Sequence, residues 1–266
     1  MSKSESGAFL VWPRSERIET GLGPDLMLPE NAHSSVANDD EALPIDPAAS
    51  GGVATAQMPR PRKASDAIKR VLDLVIVIPA SVFLAPALLA VAFLIQRDDS
   101  GPILFRHERR GKDGKPFLCY KFRTMVLDAP ERLEHLLASD PELRREWDEN
   151  QKLKDDPRIT RCGGLLRRTS LDELPQLWNI LRGEMSIVGP RPIVEDEVRR
   201  YGSDIEHYDA VKPGVLGLWQ VKGRSDTTYE ERVALDVDYA MRRSVFMDLS
   251  ILIQSIPAIL LKRGAY

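Results

Sequence analysis

The sequence predicts an α+β protein, mostly helical, whose single domain is anchored to a membrane by a proline-broken helix. Three observations predict this class: an uncharged apolar run at residues 74–95, a strand–turn–strand pattern at 103–125, and repeated helical patterns after residue 130. The chain has 266 residues, enough for one large domain and a tail. We place the tail at residues 1–64 and the domain at residues 65–266.

The composition argues against several classes of protein. A net charge of -3 gives no overall excess of positive charge, so no nucleic-acid partner is expected. Cys119 and Cys162 are the only cysteines and are too few for a disulfide framework. We interpret both as buried structural thiols rather than reactive ones. Residues 1–20 carry charges throughout, so no secretory signal is expected there.

The predicted tail, residues 1–64, is rich in Ser, Ala, Gly, Pro and acidic residues, without a persistent apolar period. Such a composition does not supply enough apolar surface for a packed core, which predicts disorder. Residues 9–12 are an apolar exception. We interpret them as a chance cluster, with a short docking motif as the alternative.

The apolar run at residues 74–95 has no charged side chain and is long enough to cross a bilayer. Basic residues flank both of its ends, so the positive-inside rule places both ends in the cytoplasm. Pro86, near the middle, removes a backbone donor and favours a kink, and Ser81 is a candidate partner for the freed carbonyls. We therefore expect a re-entrant helix over about residues 69–96. A straight span and a buried helix of a soluble protein are the alternatives.

The remaining elements follow from local patterns. Apolar residues on both sides of the Gly-Lys-Asp-Gly-Lys segment at 111–115 predict a β-hairpin. Helical patterns follow at residues 130–152, 193–208 and 228–243. A last helix, about residues 245–262, is apolar but interrupted by polar residues. It fits a helix lying in the membrane interface, and a soluble amphipathic helix is an equal alternative.

Two adjacent carboxylates, Asp172 and Glu173, stand at the predicted start of a helix. Ser170 and Glu173 match a capping box, so helix capping alone would explain the pair. Pro175 is tolerated if the helix starts nearer Asp172, and the helix dipole would then favour the ionised carboxylates. An ionised aspartate is a competent nucleophile towards phosphorus and a ligand for divalent cations.

Several cations lie near this dyad in the sequence. Arg191 stands between two prolines, which fix the backbone of a side chain that matches phosphate oxygens bidentately. Other basic candidates are Lys121, Arg123, Arg167 and Arg168. Contacts with solvent or lipid headgroups are the alternative role for each of them. The turn-rich segment 213–224 adds the donors Gln220 and Arg224, which would read a base or sugar or would be structural.

The chain resembles the bacterial sugar transferases, the monotopic phosphoglycosyl transferase family. Five motifs carry the resemblance, in order after the proline-broken helix: residues 120–125, 168–176, 186–192, 211–214 and 220–224. The resemblance covers about residues 67–266. Within the family, the chain is most similar to exopolysaccharide-production enzymes that transfer galactose phosphate to undecaprenyl phosphate.

The resemblance implies a mechanism and a place in the cell. Asp172 would attack the β-phosphorus of a UDP-sugar and release UMP, and undecaprenyl phosphate would then attack the aspartyl-phosphosugar. Glu173 would be a base, and Asp172 and Glu173 would hold Mg2+. The resemblance implies Lys121, Arg168 and Arg191 as phosphate ligands, and Arg123, Gln220 and Arg224 complete the expected set of substrate ligands. The implied partners are inner-membrane lipids, at the cytoplasmic face, and downstream glycosyltransferases.

The chain departs from the family pattern at two positions. Ala85 precedes Pro86 where the family often has serine, and Leu216 stands where threonine is common. Three other functions remain open. They are the same reaction with glucose, a catalytically silent membrane scaffold, and an ordinary glycosyltransferase that releases UDP.

Overall fold

Ten α-helices and five short strands make up the part of the chain that the computed structural model describes: residues 9–11, 63–150, 153–222 and 227–260. The helices are α1 (Lys63–Asp98), α2 (Ala129–Ser139), α3 (Pro141–Asn150), α4 (Arg161–Thr169), α5 (Gln176–Arg182), α6 (Val198–Tyr201), α7 (Ile205–Asp209), α8 (Leu218–Lys222), α9 (Tyr229–Arg242) and α10 (Val245–Leu260). The strands are β1 (Phe9–Val11), β2 (Leu104–Arg110), β3 (Pro116–Phe122), β4 (Ser186–Val188) and β5 (Gly214–Leu216). The prediction of a mostly helical protein with few strands is confirmed.

Helix α1 contains the predicted membrane segment and is long and apolar enough to cross a bilayer. It continues through Pro79 and Pro86 for 36 residues, which corresponds to about 54 Å at 1.5 Å per residue. The predicted break at Pro86 therefore does not divide it into two helices. The Ser81 hydroxyl has no hydrogen-bond partner among the described residues, so its expected bond to a freed carbonyl is not seen.

The N-terminal end of α1 is bonded to the folded domain. Arg70 donates hydrogen bonds to the carbonyls of Ile180 and Leu181, at the end of α5. Asp73 is buried and accepts from the Ser186 hydroxyl at 3.0 Å and from the Ile187 amide at 3.1 Å. The Arg70 bonds add partners to two of the last carbonyls of α5, and the Asp73 bonds join α1 to β4.

The C-terminal end of α1 is bonded to the same domain. The Asp98 carboxylate accepts from the Cys162 amide at 2.8 Å, in the first turn of α4. Between residues 78 and 90 no side chain is buried, and Phe83 is 83% exposed. Helix α1 therefore contacts the domain near both ends and leaves an apolar middle uncovered.

The predicted hairpin is confirmed as strands β2 and β3. The strands are antiparallel, with Phe105 opposite Lys121 and Arg109 opposite Phe117. Asp113 takes a left-handed conformation in the turn, with φ 59°. Strand β1 lies within the stretch predicted as a tail and pairs in parallel with β2. The rest of that stretch up to residue 62 is outside the described residues.

Strands β4 and β5 form a close parallel pair that joins two sequence motifs. The Gly189 amide donates to the Leu216 carbonyl at 2.9 Å, and the Gly214 amide donates to the Pro190 carbonyl at 2.8 Å. A Cβ atom on Gly214 would lie 2.1 Å from the Gly189 nitrogen. Because only glycine permits this approach, residues 211–214 determine where the backbone before Arg191 lies.

The predicted helices differ from the observed ones mainly in where they break. The 130–152 helix is two helices, because α2 ends before Asp140 and Pro141 starts α3. The 193–208 pattern is divided into the short helices α6 and α7, with Gly202 at φ 54° between them. Helix α9 fits the prediction for 228–243, and Thr228 caps its start.

Buried side chains join the hairpin to α1 and α5. Val77, Ile180 and Met185 are at most 1% exposed and pack against Phe117 and Cys119. The expectation of a buried thiol is confirmed for Cys119, whereas the Cys162 side chain is only partly buried.

Candidate active site

The dyad lies in a short 3-10 turn, Leu171–Glu173, between α4 and α5. Ser170 has φ 55° and ends α4, and its side chain makes no capping hydrogen bond. The capping-box interpretation of Ser170 and Glu173 is therefore wrong. Pro175 immediately precedes Gln176, the first residue of α5, so it is tolerated as the sequence suggests.

Glu173 forms an ion pair with Lys121, a residue of β3. The Lys121 Nζ atom lies 2.7 Å from Glu173 Oε1. Burial opposes ionisation of Glu173, but the charges of Lys121 and Arg191 hold the pKa of this carboxyl below its usual value. Glu173 is therefore an anion at neutral pH and fixes the position of the Lys121 ammonium.

Asp172 occupies a different environment from its neighbour. Burial raises the pKa of the Asp172 carboxyl above its usual value, against the opposing charges of Lys121 and Arg167. The dyad lies in the 3-10 turn that leads into α5, and the expectation that the helix dipole favours its ionised form stays a prediction. No described side chain forms an ion pair with Asp172, which leaves its oxygens available for reaction.

A cleft beside the dyad brings together four of the sequence-predicted residues: Lys121, Glu173, Arg191 and Gln220. Arg109 and Gln176 also line it. Three cations and one carboxylate in one cleft favour an anionic ligand that carries more than one negative charge.

The hairpin register explains why Arg109 belongs to this cleft. Arg109 lies opposite Phe117 and Phe105 lies opposite Lys121, so Arg109 and Lys121 share one face of the hairpin. Burial lowers the pKa of the Arg109 guanidinium, and Glu197, at 3.8 Å, opposes that shift. Arg109 is not among the ligands predicted from the sequence, although the period-two alternation of the predicted hairpin places it on the same face as Lys121.

The backbone of Arg191 is held in place, whereas its guanidinium has no ion-pair partner among the described residues. The Tyr208 hydroxyl lies between two carbonyl acceptors, 3.0 Å from that of Arg110 and 3.3 Å from that of Arg191. The guanidinium is exposed and lies 6.0 Å from the ring centre of Trp219. Gln220 Oε1 accepts from the Gly217 amide at 2.6 Å, so its NH2 group remains available as a donor.

Other predicted ligands lie elsewhere. Arg123 is 3% exposed and is bonded to Asp99, with 3.0 Å between its Nη1 and Asp99 Oδ2. Arg168 is exposed on α4 and does not line the cleft. Its neighbour Arg167 is the one whose charge acts on Asp172, and it donates to the Thr124 hydroxyl at 2.9 Å. Arg224 lies outside the described residues.

The two carboxylates of the dyad are the candidate ligands for a magnesium ion that also binds substrate phosphates. No group of three or more His, Cys, Asp and Glu residues forms a metal cage within the described ranges. Mg2+ commonly takes one or two carboxylates and completes its shell with substrate phosphates and water. Asp172 and Glu173 supply two adjacent carboxylates, one oxygen of which is engaged by Lys121.

Comparison with known proteins identifies relatives over most of the chain. A protein similar to it is the UDP-galactose-lipid carrier transferase of Erwinia amylovora, 51% identical over 199 residues, which are 75% of this chain and 42% of the relative. The undecaprenyl-phosphate galactose phosphotransferase of Salmonella typhimurium is 46% identical over 205 residues, or 77% of this chain and 43% of the relative. The chain thus spans about four-tenths of the length of these two relatives.

A shorter relative is matched over most of its length. The exopolysaccharide production protein ExoY of Sinorhizobium fredii is 48% identical over 198 residues, which are 74% of this chain and 88% of the relative. The sequence profile of the family described as bacterial sugar transferase matches residues 64–262. This match includes the dyad, the cleft and α1, and the chain belongs to the bacterial sugar transferase family.

Proposed function

We propose that this protein transfers a sugar 1-phosphate from a UDP-sugar to undecaprenyl phosphate and so starts the assembly of an exopolysaccharide. The observation that carries the proposal is the cleft where Lys121, Arg109 and Arg191 converge on Glu173. Asp172 adjoins Glu173 and lies close enough to Lys121 for that charge to act on its carboxyl. Both substrates are anions, so their approach to each other and to a carboxylate requires such cations.

The reaction has two displacements at one phosphorus atom. An Asp172 oxygen attacks the β-phosphorus of the UDP-sugar, and the bond to the bridging oxygen breaks as UMP leaves. An oxygen of undecaprenyl phosphate then attacks the same phosphorus. The Asp172–phosphorus bond breaks, giving undecaprenyl diphosphosugar and the free carboxylate.

The residues around Asp172 have separate roles in this scheme. Lys121, held by Glu173, and Arg191, fixed by the β4–β5 pair, lie where they can bind phosphate oxygens. Gln220 offers an amide donor to the uridine or the sugar. Mg2+ bound by Asp172 and Glu173 would neutralise phosphate charge.

The two ends of α1 support a re-entrant placement in the membrane. Arg70 near one end and Asp98 at the other bind the same domain, and a folded domain does not lie on both sides of a bilayer. The exposed apolar residues between them would enter lipid from one side only. Exposed Phe246, Leu249 and Ile253 would place α10 in the same interface, at the cytoplasmic face.

The names of the first two relatives favour galactose as the sugar. Glucose remains the alternative, because no described contact distinguishes an axial from an equatorial hydroxyl group. Downstream glycosyltransferases would take the lipid-linked product as their acceptor.

The test is to incubate the purified full chain with undecaprenyl phosphate, Mg2+ and a panel of UDP-sugars, and to identify the nucleotide released. We expect UMP with UDP-galactose and a lipid-linked sugar diphosphate. UDP would contradict the mechanism and indicate ordinary glycosyl transfer. No release from any donor, with the protein shown to be folded, would favour a catalytically silent scaffold.

A further inference from the structure

A second cavity, of about 330 Å³, lies at the N-terminal end of α1 and shares no lining residue with the cleft beside the dyad. Five cations line it: Lys69, Arg70, Lys112, Lys212 and Arg243. Its two carboxylates are Asp66 and Asp73. The lining therefore has an excess of three positive charges, which favours an anion.

Most of these charged groups are already engaged with protein partners. Asp66 binds Lys112 at 3.3 Å and Arg243 at 3.1 Å. Lys69 binds Asp248 at 2.8 Å. Asp73 accepts hydrogen bonds from residues of β4, and Arg70 donates to the carbonyls that end α5. Both carboxylates therefore already have protein partners, and their two negative charges do not neutralise the five cations that line the cavity.

Lys212 differs from the other cations that line the cavity. In the described part of the chain its ammonium has no hydrogen-bond or ion-pair partner, and it is half-buried. Lys212 Nζ and Arg70 Nη2 each lie 3.5 Å from the place where a Cβ on Gly183 would be, so the two cations are neighbours. Burial and the charges of Arg70 and Lys112 lower the Lys212 pKa. An anion placed among these three groups would remove their repulsion.

The location of the cavity on α1 indicates which kind of molecule would carry that anion. Arg70 and Asp73 belong to the last polar turns before the apolar run that starts at Leu74. On the same helix Val71 and Val75 are 59% and 62% exposed. A charged cavity beside exposed aliphatic side chains fits a molecule with an anionic head and apolar chains.

We propose that this cavity binds the phosphate group of an anionic membrane lipid, with Lys212, Arg70 and Lys112 as its ligands. The site is separate from the dyad, and it does not depend on the proposed transfer reaction. It gives a function to the Val-Lys-Pro-Gly motif at residues 211–214, whose lysine the reaction does not use. A bound lipid would hold the start of α1 at the level of the headgroups.

The test measures ligand binding by the full chain in detergent, from the rise in melting temperature during titration. The ligands are dioctanoyl phosphatidylglycerol, dioctanoylglycerol without phosphate, and inorganic phosphate. We expect Lys212→Met to weaken phosphatidylglycerol binding roughly tenfold or more, the loss typical of a charge-assisted contact, and Lys212→Arg to retain it. Without ligand, Lys212→Met should melt no lower than the wild type, because it removes a repelled charge.

Two further variants separate this site from others. Lys154→Met removes an exposed lysine elsewhere, and Lys121→Met removes a cation from the dyad cleft; both should bind phosphatidylglycerol as the wild type does. Equal binding by Lys212→Met, or by dioctanoylglycerol, would overturn the proposal. Inorganic phosphate that binds as tightly as the lipid would overturn the assignment to a lipid and leave a soluble phosphate as the ligand.

Discussion

At the scale of single residues, the two carboxylates of the dyad are adjacent in sequence but differ in electrostatics. Glu173 is paired with Lys121 and has a lowered pKa, whereas burial raises the pKa of Asp172. This difference supports different roles for them in the proposed reaction. Glu173 would position the Lys121 cation, and Asp172, with no described ion-pair partner, would be the nucleophile.

The first prediction separates these two roles. Asp172→Asn should lower turnover by at least about a thousandfold, because it removes the nucleophile. Glu173→Gln should retain more activity, since it frees Lys121 without removing it. Turnover is measured as sugar phosphate transferred to undecaprenyl phosphate by equal amounts of membrane-bound protein. Substantial activity in Asp172→Asn would refute the assignment of the nucleophile.

The second prediction compares two neighbouring arginines on α4. Both side chains are exposed. Arg167 nevertheless lies close enough for its charge to act on Asp172, and it donates to the Thr124 hydroxyl, whereas Arg168 is not among the charges that act on Asp172. Arg167→Gln should therefore reduce kcat/KM by roughly tenfold or more, and Arg168→Gln should change it little. The sequence motif alone predicts a loss for Arg168. The reverse order of effects would favour that motif-based assignment over the geometry.

At the scale of elements, local signals predicted the hairpin and α9 correctly, because a glycine turn and a capping residue act over a few residues. Such local signals do not predict which of Arg167 and Arg168 lies near Asp172. That depends on the rotational phase of α4, which follows from where Thr160 caps the helix and from how Gly163 packs. The position of Arg109 was predictable from the sequence, because the hairpin register alone puts it on the same face as Lys121.

The third prediction tests the packing of α4 with two adjacent glycines. A Cβ on Gly163 would lie 2.0 Å from the Thr124 carbonyl oxygen, whereas one on Gly164 would meet its nearest atom at 3.9 Å. Gly163→Ala should destabilise the protein by roughly 1–3 kcal/mol. Gly164→Ala should stabilise it by up to about 1 kcal/mol, since alanine favours a helix. Thermal unfolding of both variants in detergent checks this, and equal effects would contradict the close contact.

At the scale of the whole molecule, a buried carboxyl makes stability depend on pH. Asp236 on α9 is 3% exposed, and Tyr201 on α6 donates to it at 2.8 Å. Burial raises its pKa to about 7, although Tyr201 and Arg232 oppose the shift. The folded protein therefore binds a proton that the unfolded chain has released above pH 4, so this contribution is lost as pH rises through 7.

The fourth prediction uses Asp236→Asn, which keeps the shape and cannot titrate. From pH 5 to 8 the free energy of unfolding of the wild type should fall relative to that of the variant, by about 3 kcal/mol at most. Denaturant titrations of both proteins in one detergent give this difference. Parallel pH profiles would show that Asp236 is ionised throughout that range.

The last prediction concerns the side of the membrane on which the ends of the chain lie. The proposed re-entrant placement puts both ends of α1 on the side of the membrane where the domain lies, because Arg70 and Asp98 bond to that domain. By the positive-inside rule, the flanking basic residues would place that side in the cytoplasm. Tags before Met1 and after Tyr266 should both be protected from protease in intact cells and cleaved after lysis. In a straight span, by contrast, one tag would be cut in intact cells. A matched control with a known spanning helix and the same tags shows that the protease reaches the outer face.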